Sequence, residues 1–439
     1  MLDIRPQRIL IDPTIQQQRS SYEHGIRYGI RREGAVLCFV LGAGFIVRFL
    51  VRLAYGEEYF WKNSYSLFYD LAQSIAAGRG LSCYFIGVKY AHRPPVYPLF
   101  LVLTMVGGKN YVVIVLLQSI IGAGTALCAF LIGRELFDQR IGLLAAAGVA
   151  FYPYFVMHDT ALQETGMFTF LTALAVLLLL KSRTSISKVV WFAAGLFLGL
   201  AVLTRVTLAL FVPFAVLWIP LFTGGTRRKR LGKTAIVAAA FTLVVMPWLV
   251  RNYFVLGNPT LSTLTGLNLW AGNNEYTFAR YPNQSIDRST DEAMDHLEPQ
   301  ERERIQQLAS DEIAQNSWFI NKAWEYIENH RAETLRRSVE KIAAAFSWKQ
   351  NPARETLVQT AYFLSYFPAL ILGVSGAVMA RQKWKEHGLI YMLFFSFIVV
   401  TAIFFGHTSH RSYVDVYLIV FSAYAIATLY RLITAKANL

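Results

Sequence analysis

The stretch YGEEYFWKNSYSLFYDLAQSIAAGRGLSCYFIGVKYAHRPPVYP, residues 55–98, decides how the chain is read. It follows an apolar run ending in Arg48 and Arg52, carries acids and aromatics, and returns to apolar sequence through HRPPVYPLF at 92–100. A mere connector between membrane spans needs only a few polar residues, so a long charged loop with a proline-clamped return builds something on the membrane face. Within it, 66–78 is predicted as an interfacial helix, with Leu67, Leu71 and Ile75 four apart on one side. Pro94, Pro95 and Pro98 set an extended lead into the apolar run 96–106, which is too short to span and is predicted as a second interfacial helix.

The rest of the chain supplies the membrane. Of 439 residues, 55% are hydrophobic and 14% aromatic, more apolar surface than one soluble core buries. Apolar runs long enough for about 30 Å of hydrocarbon fall near 35–54, 111–133, 141–157, 161–180, 188–204, 206–222, 234–254, 357–380, 388–405 and 413–431. The expected fold class is therefore an α-helical integral membrane protein of about ten transmembrane helices with outer juxtamembrane helices. Arg205, inside the long apolar block 188–222, marks a turn between two spans, because one helix of that length would overshoot the bilayer.

Charge sets the orientation. The net +14 is concentrated in short loops that ten spans put on one side: Arg27, Arg31 and Arg32, Arg134 and Arg140, Lys181 to Lys188, RRKR at 227–230, Lys383 and Lys385, and Arg431 with Lys436. This one-sidedness explains the basic balance without a nucleic-acid partner and puts both termini in the cytoplasm. The organisation follows: a basic arm over 1–34, a transmembrane core over 35–254 with a first outer loop at 55–110, an outer region at 255–356, and C-terminal transmembrane helices over 357–439. The outer region holds about half of the acidic residues, and its apolar residues recur at helical spacing, Ile305, Leu308, Ile313, Trp318 and Ile320 among them. The three cysteines form no metal spacing or disulfide framework.

Four arginines, Arg48, Arg52, Arg205 and Arg251, share the outer edge, where the positive-inside bias should remove cations that are not needed. Arg411, flanked by His407 and His410, adds a cationic loop before the last span. Glu164 opens the fourth span beside His158 and Asp159, and ionisable groups at membrane depth are costly and usually functional.

The order YDLAQSIAAGRG (69–80), RPPVYPLFL (93–101), LQETGMF (162–168), LFLGLAVLTR (196–205), PWLVRNY (247–253), GNP (257–259) and GLNLWAGNN (266–274), with HRSYVDVY (410–417), resembles the GT-C glycosyltransferase superfamily. It is most similar to the bacterial branch of protein mannosyltransferases and lipid A aminoarabinose transferases. The resemblance implies transfer, with inversion, of a sugar from a polyprenyl phosphate to a lipid, glycan or protein acceptor on the outer face, and localisation in a bacterial inner membrane among membrane lipids. On it, Arg48, Arg52, Arg205, Arg251 and Arg411 bind the donor phosphate, and Tyr65, Tyr69, His92, Arg93, His158 and Asn268 line the substrate. The chain departs from the pattern at Tyr65, where relatives carry an Asp. Asp70 assisted by Glu164, with Asp159 nearby, is the expected catalytic set, and Glu57 and Glu58 are the upstream substitutes. No metal ligand is assigned, although a divalent metal stays open. A transporter of lipid-linked sugars and a non-catalytic assembly factor are the rival readings.

Overall fold

The computed structural model describes residues 13–63, 65–105 and 108–437. Of the expected basic arm, residues 1–12 and the side chains of Arg27, Arg31 and Arg32 lie outside the described residues. The first half runs α1 (Pro13–Lys62), α2 (Ser66–Ala76), the hairpin β1 (Cys83–Tyr84) and β2 (Val88–Lys89), α3 (Val96–Thr104), α4 (Tyr111–Leu136), α5 (Gln139–Phe151), α6 (Pro153–Asp159) and α7 (Thr165–Lys181). It continues through α8 (Lys188–Val202), a 3-10 turn (Val206–Leu210), α9 (Phe211–Phe222) and α10 (Arg227–Leu256). Six helices follow in the outer region: α11 (Leu264–Ala271), α12 (Thr277–Arg280), α13 (Ile286–Asp295), α14 (Pro299–Gln307), α15 (Glu312–Asn329) and α16 (Arg331–Ala345). Then come α17 (Thr356–Met379), α18 (Trp384–Ile403) and α19 (Ser412–Ala437).

The two interfacial helices of the first outer loop form where the sequence puts them, as α2 and α3. Fewer long apolar helices stand among the described residues than the ten expected spans. Among the described residues, six segments are long and apolar enough to cross: Glu33–Lys62, Tyr111–Leu136, Arg227–Leu256, Thr356–Met379, Arg381–Ile403 and Thr408–Ala435. The run 141–157 is not one helix but α5 and α6, bent by 57°, because Pro153 opens α6 with no N–H to continue the ladder of α5. The block 188–222 breaks as expected, with Arg205 extended at φ −147° and ψ 118°, but both of its halves are shorter than a comfortable span, as is α7.

Small residues let these helices approach closely. A Cβ on Gly195 of α8 would lie 2.1 Å from the Val237 carbonyl oxygen of α10, and one on Gly376 of α17 would lie 2.0 Å from that of Phe421 on α19. Side chains close the helix starts: Asn110 accepts from the amides of Val112 and Val113 ahead of α4, and Asp138 from that of Ile141 in α5.

The outer helices have their own small core, including Leu269, Trp270, Ile305 and Phe319, and they are clipped to the first outer loop. Glu312, the first residue of α15, accepts from the amides of Tyr90 (2.9 Å) and Ala91 (3.0 Å). Gly87 in the hairpin turn sits at φ +96°, and a Cβ there would come within 2.0 Å of the Ala309 carbonyl oxygen. Beside the clip, the buried His92 ring stacks on Phe85 at 5.0 Å. Burial, with Arg93 and Lys89 close by, pushes this imidazole down to about 3.

Glu312→Ala is expected to orphan two amides and destabilise the clip by about 2–3 kcal/mol, seen as a lower thermal midpoint in detergent and faster proteolysis within 260–345. His92 gives a pH signature. Its folded value lies below the ordinary 6.5, so the unfolded chain binds the extra proton and stability is lost as pH falls from about 6.5 toward 3. His92→Phe should flatten that acid limb of the thermal midpoint.

Candidate functional site

Glu164 ends the short loop that joins α6 to α7. Gln118 of α4 holds this loop in place, its amide donating to the carbonyls of Asp159 and Ala161, both at 2.7 Å, while the Tyr65 amide donates to that of Leu162 at 3.2 Å. Thus presented, Glu164 is buried, and its Oε1 accepts from Arg205 Nε (3.0 Å) and Nη2 (2.7 Å). Nη2 also donates to Thr165 Oγ1 at 3.1 Å. Arg205 reaches the pair because the α8 helix stops at Val202, and its guanidinium lies over the Phe168 ring at 5.1 Å. The third nitrogen, Nη1, is buried with no hydrogen-bond partner, and so is Nε of Arg93, which lies over Phe68 at 5.4 Å.

These groups share one surround. Tyr65 stands half-exposed in a concave setting. Its phenol is raised first by partial removal from water, then by the carboxylates of Asp287 and Glu164, while Arg93 and Arg205 work in the opposite direction. The charges of two arginines with unsatisfied N–H groups and of two carboxylates thus act on the Tyr65 phenol. Asp287 comes from the first turn of α13, where Ser285 Oγ donates to its Oδ2 at 2.8 Å. The preceding amide, of Ile286, donates to His407 Nε2 at 3.2 Å, which ties α13 to the loop before α19. Burial pushes His407 down to about 4, against the pull of Asp287.

The other expected phosphate ligands are committed internally. Arg48, fully buried, donates to Asp159 Oδ2 (3.0 Å) and to the carbonyls of Gly44, Val149 and Ala150. Arg52 donates to Thr160 Oγ1 and the Met157 carbonyl. Arg251 holds the first outer loop through the carbonyls of Tyr90 and Leu81, and also donates to the Asn252 side chain. Arg411 pairs with Asp415 at 2.7 Å, donates to the Ala345 carbonyl and Tyr362 hydroxyl, and lies 3.6 Å over the Tyr366 ring. Of the five, only Arg205 has a buried guanidinium nitrogen without a partner among the described residues.

The remaining expected residues scatter. Asp159 is spent on Arg48. His158 stacks on Tyr154 at 4.1 Å, and its Nδ1 meets Gln163 Nε2 at 2.8 Å. Tyr69 is buried against Trp61, ring centroids 4.8 Å apart. Asp70 is exposed on α2, where its charge acts on Cys83 of the hairpin. Asn268 is half-buried in α11. Glu57 and Glu58 are used locally, accepting from Trp61 Nε1 and Lys62 Nζ. Among the described residues no three His, Cys, Asp or Glu side chains are grouped to hold a metal ion. Sequence reasoning did not single out Asp287, which stands in a helix-start pattern beginning at Ser285.

The profile of the dolichyl-phosphate-mannose-protein mannosyltransferase family matches residues 92–250, a segment holding Arg93, Glu164 and Arg205. Among solved structures, the Archaeoglobus fulgidus oligosaccharyltransferase tethered with an acceptor peptide is similar at TM-score 0.56 and 14% identity, covering 92% of this chain and 50% of that one. The archaeal oligosaccharyltransferase of that organism in complex with an inhibitory peptide and a dolichol-phosphate gives 0.55 and 13%, covering 94% and 52%. The chain thus spans about half the length of these structures. Comparison with curated proteins found no match. At such identities a structural likeness speaks for fold alone. The long apolar helices are those of an integral membrane protein, similar over residues 92–250 to the mannosyltransferase family and in fold to the oligosaccharyltransferases.

Proposed function

We propose that the chain is a membrane glycosyltransferase that takes a sugar from a polyprenyl-phosphate donor and passes it, with inversion, to an acceptor on the outer face. The observation that carries this reading is the pair of buried, unpartnered guanidinium nitrogens, Arg205 Nη1 and Arg93 Nε. A buried N–H without an acceptor is costly and rare, and two of them beside a carboxylate pair suit a phosphate that arrives with substrate. In the family match, Arg93 and Arg205 lie in the same segment; the solved oligosaccharyltransferase with dolichol-phosphate offers a lipid phosphate of the same chemistry.

In this reading the acceptor hydroxyl attacks the anomeric carbon as the bond to the phosphate oxygen breaks. The hydroxyl proton passes to a carboxylate, and the phosphate leaves into the two arginines, whose charge offsets what develops on its oxygens. Glu164, bonded twice to Arg205 through one oxygen, orients that guanidinium. Asp287 is the base, brought in by the outer helices to the place that Tyr65 cannot serve. Arg48, Arg52, Arg251 and Arg411 keep structural parts around the site. Asp159 shares that part, and Asp70 stays outside the reaction. The shorter helices α7, α8 and α9 and the bent pair α5–α6 complete ten crossings, with both termini in the cytoplasm of a bacterial inner membrane.

Arg205→Ala and Arg93→Ala should each weaken binding of a polyprenyl-phosphate analogue about tenfold or more, with Lys rescuing only in part. Unchanged binding in both Ala variants, with thermal midpoints intact, would remove the phosphate site. Arg48→Ala should instead strand Asp159 and destabilise the fold by about 3–5 kcal/mol.

Asp287→Asn should lower turnover by about 10²–10⁴ with donor binding retained, while Asp70→Asn stays near wild type. The reverse result would return the base to α2. For topology, single cysteines placed after Arg230 and at Arg288 should be labelled from opposite sides of the membrane.

A further inference from the structure

We propose that the outer edge of the helical core carries a second anion site, separate from Arg93 and Arg205, which holds the phosphate headgroup of an anionic membrane phospholipid. The proposal rests on an open groove of about 550 Å³ between α2 with Arg79 and the residues Met105, Gly108 and Lys109. Tyr69 and Gln73 lie four apart on one face of α2, Arg79 follows the helix, and Met105 and Lys109 close the opposite wall. The volume suits a small polar ligand.

Its charge is unbalanced. Two cations line the groove and no carboxylate does. Neither the Arg79 guanidinium nor the Lys109 ammonium has an ion pair or side-chain hydrogen bond among the described residues. Lys109 Nζ is held instead 4.1 Å over the Trp61 ring and 5.9 Å from that of Tyr69. The nearby Glu57 is occupied by Trp61 Nε1 at 3.0 Å. Cations are normally depleted from the outer side of a membrane protein, and these two, both exposed along one groove, are open to an anion.

The surroundings favour a lipid over a free anion. Met105 lies just past α3, an apolar helix that exposes Leu99 and Leu103, one turn apart, to its outside. Acyl chains laid along that face would bring their headgroup to the groove. Tyr55 and Tyr59, exposed on the last turns of α1, mark an aromatic belt at the same end of the core. Asp70 points about 100° away from Tyr69 around α2 and does not line the groove. The site asks nothing of the transfer reaction, and its success or failure leaves that reading untouched.

The test uses the full chain in phosphatidylcholine nanodiscs doped with phosphatidylglycerol, with bound phosphatidylglycerol counted by native mass spectrometry after release into detergent. The double variant Arg79→Gln/Lys109→Gln should lose one retained lipid and bind phosphatidylglycerol at least about fivefold more weakly, the effect of one interfacial cation. Arg79→Lys/Lys109→Arg should keep it, which separates charge from fold. Arg93→Ala/Arg205→Ala should also keep it, and loss there would assign the lipid to the other site. Unchanged retention in the double Gln variant, or displacement of the lipid by inorganic phosphate at equal concentration, would overturn the proposal.

Discussion

A guanidinium carries five N–H donors, and away from water each one must find an acceptor inside the protein. That constraint organises this chain. Arg48 and Arg52 sit one turn apart on α1 and donate to the carbonyls of Val149, Ala150 and Met157, near the ends of α5 and α6. The Val149 and Ala150 carbonyls are orphans of the break at Pro153 and that of Met157 is an orphan of the end of α6, since the last turn of a helix has no amides to meet. The bend and the two arginines are therefore one device. A cation at a helix C-terminus also meets the negative end of its dipole, and Asp159 neutralises what charge is left on Arg48.

The same accounting sorts the site from its frame. Arg251 and Arg411 find backbone carbonyls, a side-chain amide, a carboxylate and a hydroxyl, and so are closed. Arg205 is not closed by Glu164, because two of its nitrogens share one carboxylate oxygen while the third has no partner. Of Arg93 and the five arginines expected at the phosphate, only Arg205 and Arg93 have a buried nitrogen without a partner among the described residues, which leaves room for an acceptor from outside. An isolated arginine in this depth would snorkel to water, but the burial of both nitrogens rules out that escape.

Much of the frame was legible in the sequence, for local reasons. Leu67, Leu71 and Ile75 wrote α2 as an amphipathic helix, the prolines wrote α3 as short, and Arg205 in apolar sequence wrote a break. The amphipathic spacing of 255–356 likewise appeared as helices α11 to α16. What could not be read was partnership across the chain. Arg48 and Arg205 look alike in sequence, each a lone cation in an apolar run, and differ only in how many acceptors the fold delivers. The 141–157 run looked continuous because hydropathy does not register a missing amide. Asp287 was invisible as a site residue because it reads as an ordinary acid in the first turn of a solvated helix. Asp287 is exposed, and the buried residue before it, Ile286, is tied through its amide to His407.

The outer region is accordingly more than a cap. Its attachment runs through Glu312 to the first outer loop, through Lys341, buried and donating to Asn273 and the carbonyls of Ala402 and Ile403, and through Asn351, whose oxygens accept from Thr408. These ties join it to both halves of the membrane core, to the loop that follows α2 and to the one that precedes α19. Arg93 belongs to that first loop and His407 to the second, so the outer helices are tied to both. Because helical packing is rigid at close-packed density, a change in the clip at Glu312 would be felt as a shift of Asp287 against Arg205. How the outer helices seat on the core therefore sets where Asp287 stands relative to the arginines of the core.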